Sequence, residues 1–158
     1  MNINNAGLEL IMKWEGFKAK PYYCPAGVPT IGYGTTVYPN GRKVAMSDVT
    51  ITTEQAMSYL KFDCAKFERV VSDLVKSNIN ENQFSALVSF AYNLGGGALS
   101  KSTLLKKVNA DPDDVTIAAE FLKYSKARVN GVLTPLNGLF KRRNEEQLLY
   151  FLPSKKEL

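Results

Sequence analysis

Apolar and polar positions follow two different periods along the chain, and the changes of period divide it. Leu8, Ile11 and Met12 stand at i, i+3 and i+4, the spacing of one helix face. Asn5 precedes them as an expected N-cap, and Gly16 follows as a left-handed stop. The next position on that stripe is Glu15, a carboxylate where the pattern calls for an apolar side chain. Residues 17–51 lose the helical period and are rich in Gly, Pro, Thr, Tyr and Val. Thr30-Ile31-Gly32-Tyr33-Gly34-Thr35 predicts a strand, with Ile31 and Tyr33 on one face and Thr30, Gly32 and Gly34 on the other. Pro39-Asn40-Gly41 predicts a turn, with a return strand over 43–46.

From residue 52 the helical period returns. Thr52-Thr53-Glu54-Gln55 is a capping box, and Ala56, Leu60, Cys64, Phe67, Val71 and Leu74 then run down one face of a long helix. Asn80 caps a second helix that buries Phe84, Leu87, Val88 and Ala91 and closes at Gly95-Gly96-Gly97. Ser100 or Ser102 opens a short helix through Val108, and Asp111-Pro112 opens one to about Tyr124. Thr134-Pro135 or Asn137 opens the last, to about Phe151. The expected class is α+β in a single domain over 1–158. A small β-hairpin lobe covers about 17–51. A larger helical lobe covers about 52–158 and includes the N-terminal helix. A long helix joins the lobes, with a cleft between them.

Composition narrows the chemistry. The 158 residues carry 20 Lys and Arg against 15 Asp and Glu, a net charge of +5, which suits an anionic partner without choosing one. There is no His, so His-dependent triads, His-ligated zinc and imidazole acid–base chemistry are excluded. Two cysteines, Cys24 and Cys64, are too few for a disulfide scaffold or a four-thiolate metal site, and reduced thiols are expected. Cys64 falls on the apolar stripe and is expected in the core; the alternative is a Cys24–Cys64 disulfide that switches the protein off. No export signal and no membrane-spanning apolar run is legible.

Glu15 is the leading candidate for chemistry. Partial burial and the negative end of a helix dipole both disfavour its charged form, and a neutral carboxylic acid is what glycoside cleavage needs as proton donor. The competing reading is a last-turn Glu paired with a Lys or Arg. Gly32 and Gly34 would leave one strand face bare beside Thr30, so that a flat polymer such as a sugar chain could lie close. The alternative is a twisted hairpin and nothing more. Gly95-Gly96-Gly97 lacks the Lys-Ser/Thr of a phosphate loop and reads as a helix end.

Glu15, eight residues, Cys24, five residues, Thr30, then Ile-Gly-Tyr-Gly resembles the signature of phage-type lysozymes, glycoside hydrolase family 24. Four further segments are similar to that family in the same order. They are Asn82-Gln83 through Ala86-Leu87, Tyr92-Asn93-Leu94-Gly95, Ser102-Thr103-Leu104-Leu105, and Gly138-Leu139-Phe140-Lys141-Arg142-Arg143 with Glu145 or Glu146. The resemblance covers nearly the whole chain. It implies hydrolysis of the β-1,4 bond between N-acetylmuramic acid and N-acetylglucosamine in peptidoglycan, for host lysis by a phage or prophage. Glu15 would be the general acid, and Thr30 would hold the attacking water. Gly32, Tyr33 and Gly34 would lie beside substrate. Arg142 and Arg143 are similar to family arginines near the catalytic Glu, one of them expected to pair with Glu15; a solvated basic face is the alternative.

Two departures stand out. Cys24 replaces the commoner Asp, and Thr35 follows Ile-Gly-Tyr-Gly where many members have His. A thiol titrates near about 8.5, and a neighbouring carboxylate raises it. Cys24 is therefore expected to be neutral and to orient water, with a thiolate nucleophile as the alternative. No metal or cofactor and no nucleic acid is expected. The partner is bacterial peptidoglycan. The protein is expected to be a monomer in the host cytoplasm that reaches the wall through a separate holin-type protein. The competing functions are a lytic transglycosylase, an inactive wall-binding module and, from the last helix, membrane disruption.

Overall fold

The computed structural model describes residues 1–155. They form two compact units: Ile11–Lys66, and Met1–Leu10 together with the chain from Phe67 onward.

The chain begins with α1 (Asn5–Glu15). Its cap is Asn4 rather than Asn5: the Asn4 side chain accepts from the N–H of Gly7 at 3.0 Å, one of the donors that a helix start leaves unpaired. A Cβ on Gly7 would lie 2.8 Å from Cβ of Ser85, so only glycine allows this close approach.

In the Ile11–Lys66 unit, β1 (Lys18–Tyr23) pairs antiparallel with β2 (Pro29–Gly32). Tyr22 stands opposite Thr30 and Lys18 opposite Gly32, with a bulge between. The predicted strand therefore exists, but it is shorter than 30–35 and its partner lies upstream. The expected return strand over 43–46 reduces to one bridge, Val37 with Lys43. Asp48 takes over that stretch. It accepts from Tyr38 Oη at 2.7 Å, the Ala45 N–H at 2.9 Å and Arg42 at 3.1 Å, satisfying locally what a ladder would otherwise satisfy. These donors hold the Asp48 carboxyl down to about 2, while burial and that carboxylate push the Tyr38 hydroxyl up to about 12. Ile31, Tyr38, Val44, Ile51 and Ala56 form the core, with Tyr33 and Tyr59 packed against it. Ala56 belongs to α2 (Thr53–Leu74), whose capping box forms as predicted, Thr52 and Gln55 exchanging hydrogen bonds at 2.9 and 3.1 Å.

The other unit is built on α3 (Glu81–Leu94). Its residues 82–91 are all buried, so this helix is enclosed rather than amphipathic. Its polar residues find partners. Ser85 Oγ accepts from the N–H of Asn4 at 2.9 Å, and Asn82 donates to Leu152 O at 2.9 Å. Asn80 caps it as predicted. Gly95, at φ +94, ends α3, but Gly96 starts α4 (Gly96–Lys101), so the glycine run joins two helices. Ser102 caps α5 (Thr103–Ala110).

Helix α6 (Ile117–Leu122) is shorter than expected. Asp111 and Asp114 accept from the N–H groups of Asp113 and Thr116 at 3.0 and 2.9 Å, which holds 111–116 in turns. A second hairpin follows that periodicity alone did not predict, β3 (Lys126–Val129) with β4 (Val132–Pro135). Its signal is Asn130-Gly131, both at positive φ (51° and 80°), the pair that a two-residue I′ turn requires. Helix α7 (Asn137–Phe151) closes the unit. No helix of the described residues is long and apolar enough to cross a membrane.

Candidate active site

Glu15 is the last residue of α1 and is half-buried. Gly16 stops the helix as predicted, at φ +74, its N–H donating to Met12 O at 3.0 Å. Two residues later the chain enters β1, so α1 delivers Glu15 to the base of the hairpin that carries the other two candidates.

Cys24 opens the turn between β1 and β2. Its N–H donates to Val28 O at 3.1 Å, and its carbonyl accepts from the N–H of Gly27 at 2.8 Å. Gly27, at φ +78, supplies the reversal. This tight loop turns the backbone amides of Val28 and Ala26 towards the thiol. Their hydrogen bonds hold Cys24 below the ordinary thiol range, outweighing desolvation, and the Thr30 hydroxyl pulls the same way. The expectation of a thiol pushed upwards is therefore reversed. Peptide dipoles at contact distance govern it, and the sequence does not announce which amides the loop will present.

Thr30 lies on β2, 3% exposed, its hydroxyl donating to Val28 O at 2.9 Å. Opposite it stands Tyr22. Burial raises the Tyr22 hydroxyl, and the charges of Glu15 and Cys24 raise it further. Tyr22 thus sits within electrostatic reach of both candidates and in register with the third. Sequence reasoning missed it. The bulge between Lys18 and Tyr22 hides the strand period that would have placed Tyr22 across from Thr30.

Gly32 plays another part than expected. It is buried at φ +69, and a Cβ there would lie 3.2 Å from Ala56 Cβ. Its bareness makes room for α2, not for a polymer. Tyr33 stacks at 5.7 Å on Phe17 and, with Gly34, stays half-buried. The turn ends at Thr35, whose N–H and carbonyl both pair with Ile31 at 2.9 Å.

Arg142 and Arg143 belong to the other unit, on α7, and both are buried. Their carboxylate partner there is Glu146, fully buried on the same helix. Arg143 Nε lies 2.7 Å from Glu146 Oε1, and Arg142 Nε 3.5 Å from Oε2. Ser89 donates to Glu146 at 2.6 Å, Arg143 donates to Asn93 at 2.9 Å, and its guanidinium lies 5.3 Å from the Phe90 ring. Burial pushes the Glu146 carboxyl up, and the two guanidiniums oppose it. A solvated basic face is thereby ruled out for this pair.

Cys24 and Cys64 form no disulfide, and Cys64 is fully buried in the core as expected. Among the described residues no group of three or more His, Cys, Asp or Glu is placed to hold a metal ion.

The sequence profile of the family described as phage lysozyme matches residues 12–146. An endolysin of Acyrthosiphon pisum secondary endosymbiont phage 1 is 43% identical over 150 residues, covering 95% of this chain and 98% of that protein. Among solved structures, an endolysin from Escherichia coli O157:H7 phage FAHEc1 superposes with a TM-score of 0.87 at 38% identity, covering 96% of this chain and 94% of the other. The muramidase domain of SpmX from Asticaccaulis excentricus superposes at 0.83 and 33% identity, covering 96% and 99%. With a carboxylate, a thiol and a threonine gathered around one hairpin, and with these likenesses along almost its whole length, the chain belongs to the phage lysozyme family, glycoside hydrolases that break down peptidoglycan.

Proposed function

We propose that the protein is a muramidase. It hydrolyses the β-1,4 bond between N-acetylmuramic acid and N-acetylglucosamine, and a phage or prophage uses it to lyse its host. The observation that carries this reading is Tyr22, which feels the charges of both Glu15 and Cys24 while facing Thr30 across the ladder. A carboxyl before the hairpin, and a thiol and a hydroxyl at its turn, are the groups an inverting displacement needs: an acid for the leaving oxygen, and a pair to hold and polarise water.

Glu15 donates its proton to the glycosidic oxygen as the bond to the anomeric carbon breaks. Thr30 orients the attacking water through its hydroxyl; the water oxygen bonds to the anomeric carbon as the leaving oxygen departs, and the proton it sheds passes to solvent, from which Glu15 is reprotonated. Cys24, with its thiol held down by the Val28 and Ala26 amides, accepts a hydrogen bond from that water and lends negative charge to the oxocarbenium-like transition state. Tyr33 and Gly34 border the sugar chain. Arg142 and Arg143 are supporting residues of the second unit, and Glu146 holds them in place. The whole chain acts as one catalytic domain and as a monomer. It is made in the host cytoplasm and reaches the wall through a separate holin-type protein.

Digestion of purified peptidoglycan followed by mass spectrometry of the muropeptides tests the reading. Hydrolysis leaves reducing muramic acid ends one water heavier than the 1,6-anhydro ends of a transglycosylase. Anhydro products would replace muramidase by lytic transglycosylase, and intact peptidoglycan would leave a wall-binding module.

A further inference from the structure

None of the residues assigned a role in the reaction lies on the β3–β4 hairpin. Its inner pair, Ala127 opposite Thr134, is half-buried, while its tip is not. Val129 and Val132 pair directly beside the turn and are 44% and 65% exposed, and Leu133, on the opposite face, is 56% exposed. Three large apolar side chains thus stand on both faces of one short projection. Single exposed apolar residues are ordinary; a cluster at a hairpin tip is not. The tip is a tight turn: Asn130 and Gly131 occupy its positive-φ positions, and Arg128 donates to Gly131 O at 3.1 Å.

The charges carried by the stretch of sequence that contains this tip have one sign. Between Glu120 and Glu145 the sequence holds six Lys and Arg and no Asp or Glu. Arg142 and Arg143 are buried with Glu146, and Lys123 lies 2.7 Å from Glu120. Lys126 and Arg128 on the hairpin, and Lys141 on α7, remain exposed. Phe140, beside Lys141, is 46% exposed.

We infer that this hairpin is a membrane-interface finger that docks on an anionic phospholipid surface. Apolar side chains at a tip, collared by cations, match an interface where acyl chains meet negative headgroups. A glycan strand fits less well, because its hydroxyls and amides need hydrogen-bonding side chains where this tip presents Val129, Val132 and Leu133. The inference does not rest on the muramidase reading, since vesicle binding requires no turnover.

Co-sedimentation with phosphatidylglycerol vesicles tests it, with phosphatidylcholine vesicles alongside. The protein should bind the anionic vesicles at low salt, lose binding at high salt and ignore the neutral ones. The double variant Val132→Thr/Leu133→Thr should bind at least about tenfold more weakly, and Arg128→Gln about fivefold. Both should retain the wild-type circular dichroism and wall-digesting rate. The inference is overturned if anionic vesicles do not retain the protein, if neutral vesicles retain it equally, or if the double variant binds as wild type. It is also overturned if the double variant loses binding to purified peptidoglycan, which would make the hairpin a wall contact.

Discussion

The hydroxyl of Thr35 donates a 2.7 Å hydrogen bond to the carboxylate of Asp63. Thr35 is 1% exposed and ends the turn that leaves β2, so this bond ties the strand bearing Thr30 to α2. A threonine–aspartate pair stands where many family members have His, and it needs no charge on the hydroxyl partner. Burial pushes the Asp63 carboxyl up, and Thr35 only partly opposes this.

The sign of the resulting pH dependence follows. A carboxyl raised above its unfolded value favours the native state while protonated. That contribution is complete below about pH 3.9 and is lost as pH rises through the raised native value. Asp63→Asn keeps an acceptor for Thr35 and should flatten this part of the stability profile, read by urea denaturation across pH. Thr35→Val should cost about 1–3 kcal/mol at neutral pH, because it leaves a half-buried carboxylate without its donor. If Thr35→Val matched wild type at every pH, the pair would be incidental.

Glu15→Gln removes the proton donor without changing shape. Turnover should fall at least about 10²–10⁴-fold with an unaltered melting temperature. Half-maximal lysis by this variant, in a turbidity assay on purified walls, would move the acid elsewhere.

The Cys24 series distinguishes water-holding from nucleophilic attack. Cys24→Asp should keep or raise activity, and Cys24→Ser should retain a measurable fraction, because a hydroxyl still hydrogen-bonds. The amides that hold the thiol down make the thiolate available below the ordinary thiol range. The rising limb of kcat/KM against pH should therefore lie below that of an ordinary free thiol in wild type and move to the carboxylate range in Cys24→Asp. In Cys24→Ser it should vanish. A dead Cys24→Ser together with a trapped sugar adduct on Cys24 would show a nucleophile instead.

Glu146→Gln takes the Glu146 carboxylate away from the buried guanidiniums of Arg142 and Arg143. Loss of one partner of a buried ion pair costs roughly 3–5 kcal/mol. The variant should melt far below wild type, which calorimetry would measure. A shift no larger than a surface substitution gives would mean that Ser89 and Asn93 suffice to hold the arginines.

Local signals were legible wherever a backbone requirement has few chemical solutions. Gly16 after an i, i+3, i+4 stripe, the Thr52–Gln55 box and Asn80 each satisfy helix ends within four residues, so sequence alone placed those boundaries, while between Ser100 and Ser102 the folded chain chose Ser102. The out-of-pattern Glu15 and its spacing to Cys24 and Thr30 were equally plain. What sequence could not decide depends on atoms far apart in the chain or on a loop's own path. The partner of β2 lay upstream because a bulge broke the period of β1. The glycine at 32 served α2, and its space is visible only once Ala56 is 3.2 Å away. The thiol's acidity was set by which amides the loop turned inward, and the meaning of Thr35 by Asp63, 28 residues later. Hydrogen bonds and desolvation act over a few ångströms of space, and only the folded chain determines which groups share them.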